Sequence, residues 1–221
     1  MQITEIYIEP IDKIGKLGVA KLPPVYKLEL LRNEISLPEQ KYIDELSATP
    51  RKLERATAIW LSRQLAGDFN SIYYDEFKKP HFSEGNYFLS LSHTNKYVAS
   101  IVHSDKRVGV DIEKISNKAL KVASKFLSPE EYKTLSKQID KELYATIYWA
   151  AKEALYKLHG KKSLIFAKQI KVKNISSKYF FGEILNENGE VKIKAKLFYK
   201  HWIDHAIVYA IEDKNLETIN E

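Results

Sequence analysis

The 221 residues contain no cysteine and a single methionine. Without cysteine the chain can form no disulfide, no thiolate zinc site and no cysteine nucleophile, so any metal must sit on carboxylates or histidines. Glycine and proline number only 8 and 7, which excludes collagen-like and low-complexity classes. No run of about 18 apolar residues occurs, as a membrane span would require. The first twenty residues carry Glu5, Glu9, Asp12, Lys13 and Lys16, so they do not read as an apolar leader, and a cytoplasmic protein with no membrane partner is the expectation. What is present is ordinary for a globular chain: 44% hydrophobic and 29% charged residues. At this length about 70% of the unfolded surface can be buried. Thirty-five basic against 29 acidic residues give a net charge of +6, which suits polyanionic partners such as nucleic acid, acidic proteins or phosphorylated cofactors, and equally suits plain solubility.

Patterning predicts an α+β fold. Residues 1 to 9 alternate loosely and read as an opening strand, and Ser47 to Gly67 read as a helix with Leu53, Ala56, Ile59, Trp60 and Arg63 at helical spacings. The segments 87 to 92 and 97 to 102 form a predicted hairpin about His93–Lys96, and Arg107 to Glu113 a third strand. Ser128, Pro129 and Glu131 make a helix start with a capping box. A long helix is expected from Lys141 to His159, stopped by Gly160, and then mostly strands, with Asn188-Gly189 as a turn. Along 191 to 197, Val191, Ile193, Ala195 and Leu197 should face inward and Lys192, Lys194 and Lys196 outward into solvent. The order strand, helix, hairpin occurs twice, and ATAIW at 56–60 echoes ATIYW at 145–149. The expectation is a pseudo-duplicate of two similar α/β halves, 1–105 and 106–221, packed with a cleft between them.

The chemistry gathers in the second half. In Val108-Gly109-Val110-Asp111-Ile112-Glu113 the side chains alternate, so Asp111 and Glu113 share one strand face. Two such carboxylates repel unless a cation joins them, and a hard divalent ion is held by one or two carboxylates together with substrate phosphate oxygens. A solvated strand end is the plainer reading of the pair taken alone. On the long helix Leu143, Ile147, Ala150, Ala154 and Leu158 form the apolar stripe, Glu153 and Lys157 flank it beside Trp149, and Lys152 is expected on the wet face. Paired strand carboxylates, a third carboxylate and a lysine one turn on describe a metal–phosphate site.

GVDIE at 109–113, FLSPEEY at 126–132 and WAAKEALYK at 149–157, preceded by KKP at 78–80 and LSLSHT at 89–94, resemble in that order the Sfp-type 4′-phosphopantetheinyl transferases. The length resembles the two-half monomeric type. The resemblance implies transfer of phosphopantetheine from coenzyme A to a serine of an acidic acyl or peptidyl carrier protein, dependent on Mg²⁺ (or Mn²⁺), with release of adenosine 3′,5′-bisphosphate. It also implies that Asp111, Glu113 and Glu153 ligate the metal, that Glu153 is the candidate base, and that Lys157 meets the diphosphate. Lys79, Ser92 and His93 would hold coenzyme A near its 3′-phosphate and adenine, helped by one of Arg51, Arg55 or Arg63. The family's usual glycine before the KP pair is Lys78 here, and the N-terminal quarter carries no clear match.

Two other readings compete. Asp68 with Glu76-Phe77-Lys78 formally spells the D…ExK of a Mg²⁺-dependent nuclease, and a carrier-protein-binding or nucleic-acid-binding module could keep such a fold without its chemistry. The intact Asp111, Glu113, Glu153 and Lys157 set weighs against the module, and no nucleic-acid partner is expected. His81, His103, His159, His201 and His205 show no metal-ligand spacing. Lys118, Lys121 and Lys125, with Leu120 and Val122, are expected on one helical face as a docking surface for an acidic carrier.

Overall fold

The computed structural model describes residues 4–67, 71–161, 163–175 and 179–216. It is α+β, and the chain divides into two units, 1–105 and 106–221. No helix among the described residues is long and apolar enough to cross a membrane.

The first unit runs β1 (Ile6–Pro10), β2 (Gly15–Lys21), a short 3₁₀ turn (Val25–Lys27), α1 (Leu28–Asn33), α2 (Leu37–Asp44), α3 (Thr49–Ala66), β3 (Ile72–Tyr74), β4 (Pro80–Phe82), β5 (Phe88–His93) and β6 (Tyr97–His103). Its main sheet has the antiparallel order β1-β2-β6-β5, and β3 pairs with β4. Pro50 sits in the first turn of α3, and Gly67 ends the helix in the left-handed region at φ 68°. Leu53, Ala56, Ile59, Trp60 and Leu65 of α3 are buried in one core with Ala20, Leu89, Val98 and Val102 of the sheet. The Ser62 and Ser100 hydroxyls meet at 2.8 Å inside that core.

The second unit runs β7 (Val108–Lys114), α4 (Asn117–Lys121), α5 (Ala123–Phe126), α6 (Pro129–Ser136), α7 (Lys141–His159), α8 (Phe166–Gln169), β8 (Ile170–Lys173), β9 (Phe180–Leu185), β10 (Val191–Trp202) and β11 (His205–Glu212). The sheet order is β7-β11-β10-β9-β8, antiparallel throughout. Asp140 caps α7 by accepting from Leu143 N, and Gly160 stops it at φ 75°. Helix α7 lies on β7, and at Gly109 a Cβ would fall well inside contact distance of the Ala154 carbonyl oxygen. On β10 a bulge at Val191/Ile193 shifts the register, so Ile193, Ala195 and Leu197 are buried while Val191 is exposed. The lysines opposite are not all in free solvent: Lys196 pairs with Asp213 at 3.0 Å, and Lys194 donates to the Leu216 carbonyl at 3.0 Å.

The two units repeat one internal device. In the first, Ser36 opens α2 and buried Glu39 closes the capping box, accepts from Ile72 N at 2.8 Å and meets Arg63 of α3 at 3.4 Å. In the second, Ser128 opens α6 and buried Glu131 closes the capping box, accepts from Val172 N at 2.9 Å and meets Lys152 of α7 at 2.7 Å. The offset that lays Ala56 on Ala145 lays Arg63 on Lys152. One carboxylate thus ties a helix start, a strand and the long helix together in each unit, with a cation neutralising its burial.

Candidate active site

In the second unit Gly109 lets α7 approach β7 closely, and the side chains two and four residues on then meet the helix. The face of β7 that bears the carboxylates is therefore covered by α7, and the plainer reading of a solvated strand end does not hold: Asp111 is 3% exposed and Glu113 is half-buried. Lys157 Nζ donates to Asp111 Oδ1 at 2.6 Å and to the Val110 carbonyl at 3.0 Å. The Trp149 indole donates to Glu113 Oε1 at 3.1 Å. Burial first, and then the charge of Asp111, raise the Glu113 carboxyl above its usual range. Burial, then Asp111, with a further contribution from Glu113, push Glu153 up to about 7 against the pull of Lys157.

Three carboxylates and one lysine thus share a partly desolvated patch in which negative charge is under-compensated. Among the described residues no group of three or more acidic or histidine side chains is drawn into a ready-made metal cage. The ammonium of Lys157 pairs with one oxygen of Asp111. An all-oxygen, hard donor set in which burial first, and like charge second, raise the Glu113 and Glu153 carboxyls is nevertheless the chemistry that suits a divalent hard cation.

Lys152, expected on the wet face, is corrected outright. Its side chain has no exposed surface and is held by Glu131, the Phe166 carbonyl at 3.0 Å and the Ile170 carbonyl at 2.7 Å. The helical wheel failed because α7 is enclosed by α4, α6 and β8 as well as by the sheet.

The first unit gathers part of the other predicted set. Arg51 Nη1 lies 3.2 Å from His93 Nε2, and His93 Nδ1 lies 3.4 Å from Glu54. The two contacts hold the His93 imidazole between the Arg51 guanidinium and the Glu54 carboxylate. Arg55 lies over the Tyr74 ring at 4.6 Å, donates to its hydroxyl at 2.6 Å and is 5.7 Å from the Tyr42 ring. Arg51, Arg55, Glu54 and His93 line one small cavity of about 50 Å³. Arg63 is not part of it, being engaged with Glu39 and the Glu34 carbonyl. Ser92 is buried on β5 beside His93, and Lys79 stands on the β3–β4 connection; neither lines that cavity. Asp75 Oδ1 organises this connection by accepting from the backbone N–H of Phe77 and of Lys79, each at 2.9 Å. Lys78, where the resemblance expects glycine, adopts φ 65°, in the left-handed region that favours glycine.

The repeat sets the carboxylates of the second unit against their counterparts in the first. Gly18 under Leu61 and Leu65 matches Gly109 under Ala154 and Leu158. On that frame Ala20 and Leu22 stand where Asp111 and Glu113 do, and Gln64 where Glu153 does. The carboxylate set exists in one unit only.

Residues 107–211 match the family model of the 4′-phosphopantetheinyl transferase superfamily. Among curated proteins, the chain is 38% identical over 78 residues to the 4′-phosphopantetheinyl transferase psf-1 of Bacillus pumilus, covering 34% of this chain and 33% of that protein. It is 35% identical over 75 residues to a 4′-phosphopantetheinyl transferase of Bacillus subtilis, covering 33% of each. The matched stretch thus spans about a third of the length of these relatives. Among solved structures it is similar to the holo-acyl-carrier-protein synthase of Thermotoga maritima, at 18% identity and a TM-score of 0.41, over 49% of this chain and 63% of that one. Residues 107–211 are therefore similar to the 4′-phosphopantetheinyl transferase superfamily, the family that GVDIE, FLSPEEY and WAAKEALYK led us to expect.

Proposed function

We propose that this protein transfers 4′-phosphopantetheine from coenzyme A to a serine hydroxyl of an acyl or peptidyl carrier protein, releasing adenosine 3′,5′-bisphosphate. The observation that carries the reading is the under-compensated carboxylate set of Asp111, Glu113 and Glu153 beside Lys157, within the stretch that matches the family. Asp111, Glu113 and Glu153 would hold Mg²⁺, or Mn²⁺ in its place, and the bound ion would neutralise charge on the diphosphate.

The chain's own residues do the rest. Glu153 takes the proton of the serine hydroxyl, directly or through one water. The serine oxygen forms its bond to the phosphorus that bears pantetheine, and the bond from that phosphorus to the bridging oxygen breaks, leaving with the nucleotide. Lys157, partly exposed and already directed at Asp111, offers its ammonium to the charge that develops on the diphosphate oxygens. In the first unit, Arg51 and His93 bind the 3′-phosphate, with Lys79 and Ser92 contributing to the nucleotide end. Arg55 lines the cavity, but its guanidinium is taken up by Tyr74, so we assign the phosphate to Arg51 first.

The nuclease alternative finds no support. Glu76 and Phe77 lie in a turn rather than the strand that an ExK motif needs, and Asp68 falls outside the described residues. The test is intact-mass analysis of an apo carrier protein after incubation with coenzyme A, Mg²⁺ and this chain. A gain of one phosphopantetheine is expected, abolished by EDTA and reduced at least a hundredfold in rate by Glu153→Gln. A Glu153→Gln variant that turns over normally would remove Glu153 from the mechanism.

A further inference from the structure

Trp149 brings a polar atom to the candidate metal carboxylates: its indole N–H donates to Glu113 Oε1 at 3.1 Å. The ring is gripped from two sides. Phe126, at the end of α5, meets it edge-on at a centroid distance of 5.1 Å, and Phe166, at the start of α8, lies tilted against it at 5.8 Å. Phe166 is itself fixed, because its carbonyl accepts from the fully buried ammonium of Lys152, which Glu131 anchors to the start of α6. A continuous run of contacts thus leads from a buried ion pair to one oxygen of Glu113.

Glu113 needs such a hold. It stands near the end of β7, half-buried, and the charge of Asp111 repels it. The attractions opposing that repulsion, from Lys157 and Lys118, are coulombic and undirected, and Trp149 supplies a directed hydrogen bond to the carboxylate. A carboxylate on a strand end in that position gains by rotating towards water unless a directional donor pins it. Groups that orient a ligating carboxylate in this way typically change metal affinity or activity 10- to 100-fold when removed.

We propose that Trp149 is a positioning residue for Glu113: its indole N–H, held by the Phe126–Phe166 bracket, keeps the Glu113 carboxylate beside Asp111 and Glu153 in the ligand-free protein. The proposal deepens the metal reading given above and rests on it. It does not touch the transfer step, since Trp149 acts through Glu113 and not on substrate.

The experiment is Mn²⁺ binding by the full chain, followed by the loss of the free-ion electron paramagnetic resonance signal without coenzyme A. Trp149→Phe keeps an aromatic ring in the bracket and removes the donor. It should weaken Mn²⁺ binding 10- to 100-fold while leaving the metal-free circular dichroism spectrum unchanged. In a Glu113→Gln background the same replacement should change Mn²⁺ affinity less than about twofold, because the carboxylate through which Trp149 acts is already gone. Should phenylalanine loosen the bracket, 3-benzothienylalanine at position 149 replaces the N–H by sulfur in a ring of nearly the same shape, and the same loss is expected. Equal Mn²⁺ affinity of wild type and the benzothienyl variant overturns the proposal, and so does a full, additive loss in the Glu113→Gln background. Wild-type protein that binds no Mn²⁺ at all overturns the metal reading and this proposal with it, whereas normal Mn²⁺ binding by Trp149→Phe rejects the positioning role alone.

Discussion

Lys152 and Glu131 meet at 2.7 Å in the second unit, where the lysine side chain has no exposed surface and the glutamate almost none. Burial pulls the lysine's proton affinity down, and Glu131 opposes that pull. Removing one partner leaves the other charge buried and unpaired, which typically costs about 3–5 kcal/mol. Lys152→Met should therefore lower unfolding free energy by about that amount in urea titration. A loss below about 1 kcal/mol would show that Glu131 finds another partner.

Metal-free stability should fall as pH rises through a defined window. With the folded-state carboxyl of Glu153 at about 7 and an unfolded value near 4.5, the folded chain holds a proton between those values that the unfolded chain has released. Stability from this group is full below about pH 4.5, is lost progressively up to about 7 and then levels off, and Glu113 contributes with the same sign. The upper bound is about 3 kcal/mol. Glu153→Gln should flatten this decline and be the more stable protein at pH 8 in EDTA; parallel pH profiles for the two proteins would refute the account.

Gly109→Ala should damage both the fold and the site. The added methyl would press on the backbone of α7 at Ala154 and Leu158, which cannot move aside as a flexible side chain can. A cost of about 1–3 kcal/mol or more is expected, with loss of transfer activity in whatever protein remains folded, because Asp111 and Lys157 meet only at this spacing. Gly189→Ala, in an open turn at φ 83°, is the control. It should cost about 1 kcal/mol through backbone strain alone and spare activity.

Carrier docking should be electrostatic. Lys118, Lys121 and Lys125 are all exposed, as is Val122, although Val122 breaks the segment into α4 and α5 and the three lysines do not share one continuous helix. The Michaelis constant for the carrier should rise between 0.1 and 1 M salt, as the Debye length falls from about 10 to about 3 Å. It should rise again in Lys121→Glu, with the constant for coenzyme A changed less. A carrier constant unmoved by both would reject this surface.

Much of this was legible in one dimension. The hairpin β5–β6, strand β7, the Ser128–Glu131 capping box and the limits of α7 follow from alternation, caps and stop residues, because these are local preferences that neighbours in sequence enforce. Asp111, Glu113, Glu153 and Lys157 could be singled out for the same reason: periods of two and of 3.6 decide which side chains share a face. The break at Val122 was not legible, since the spacing of the lysines suits a helix and only the packed structure shows where it stops.

Tertiary structure alone decided what the helical wheel could not. The wheel sets Lys152 opposite the apolar stripe, yet elements distant in sequence cover that side and supply Glu131 and two carbonyls, so a charge that reads as solvated is buried and paired. Three arginines at similar spacings on α3 are equivalent in sequence; Arg63 goes to buried Glu39, Arg55 into a pair of tyrosines, and Arg51 to His93. The repeat hinted at by ATAIW and ATIYW acquires its meaning from Glu39 and Glu131, whose common role lies in the strand and helix each one reaches. Local sequence sets which faces an element has. Which of those faces meets water depends on residues tens of positions away, and that is settled only when the chain packs.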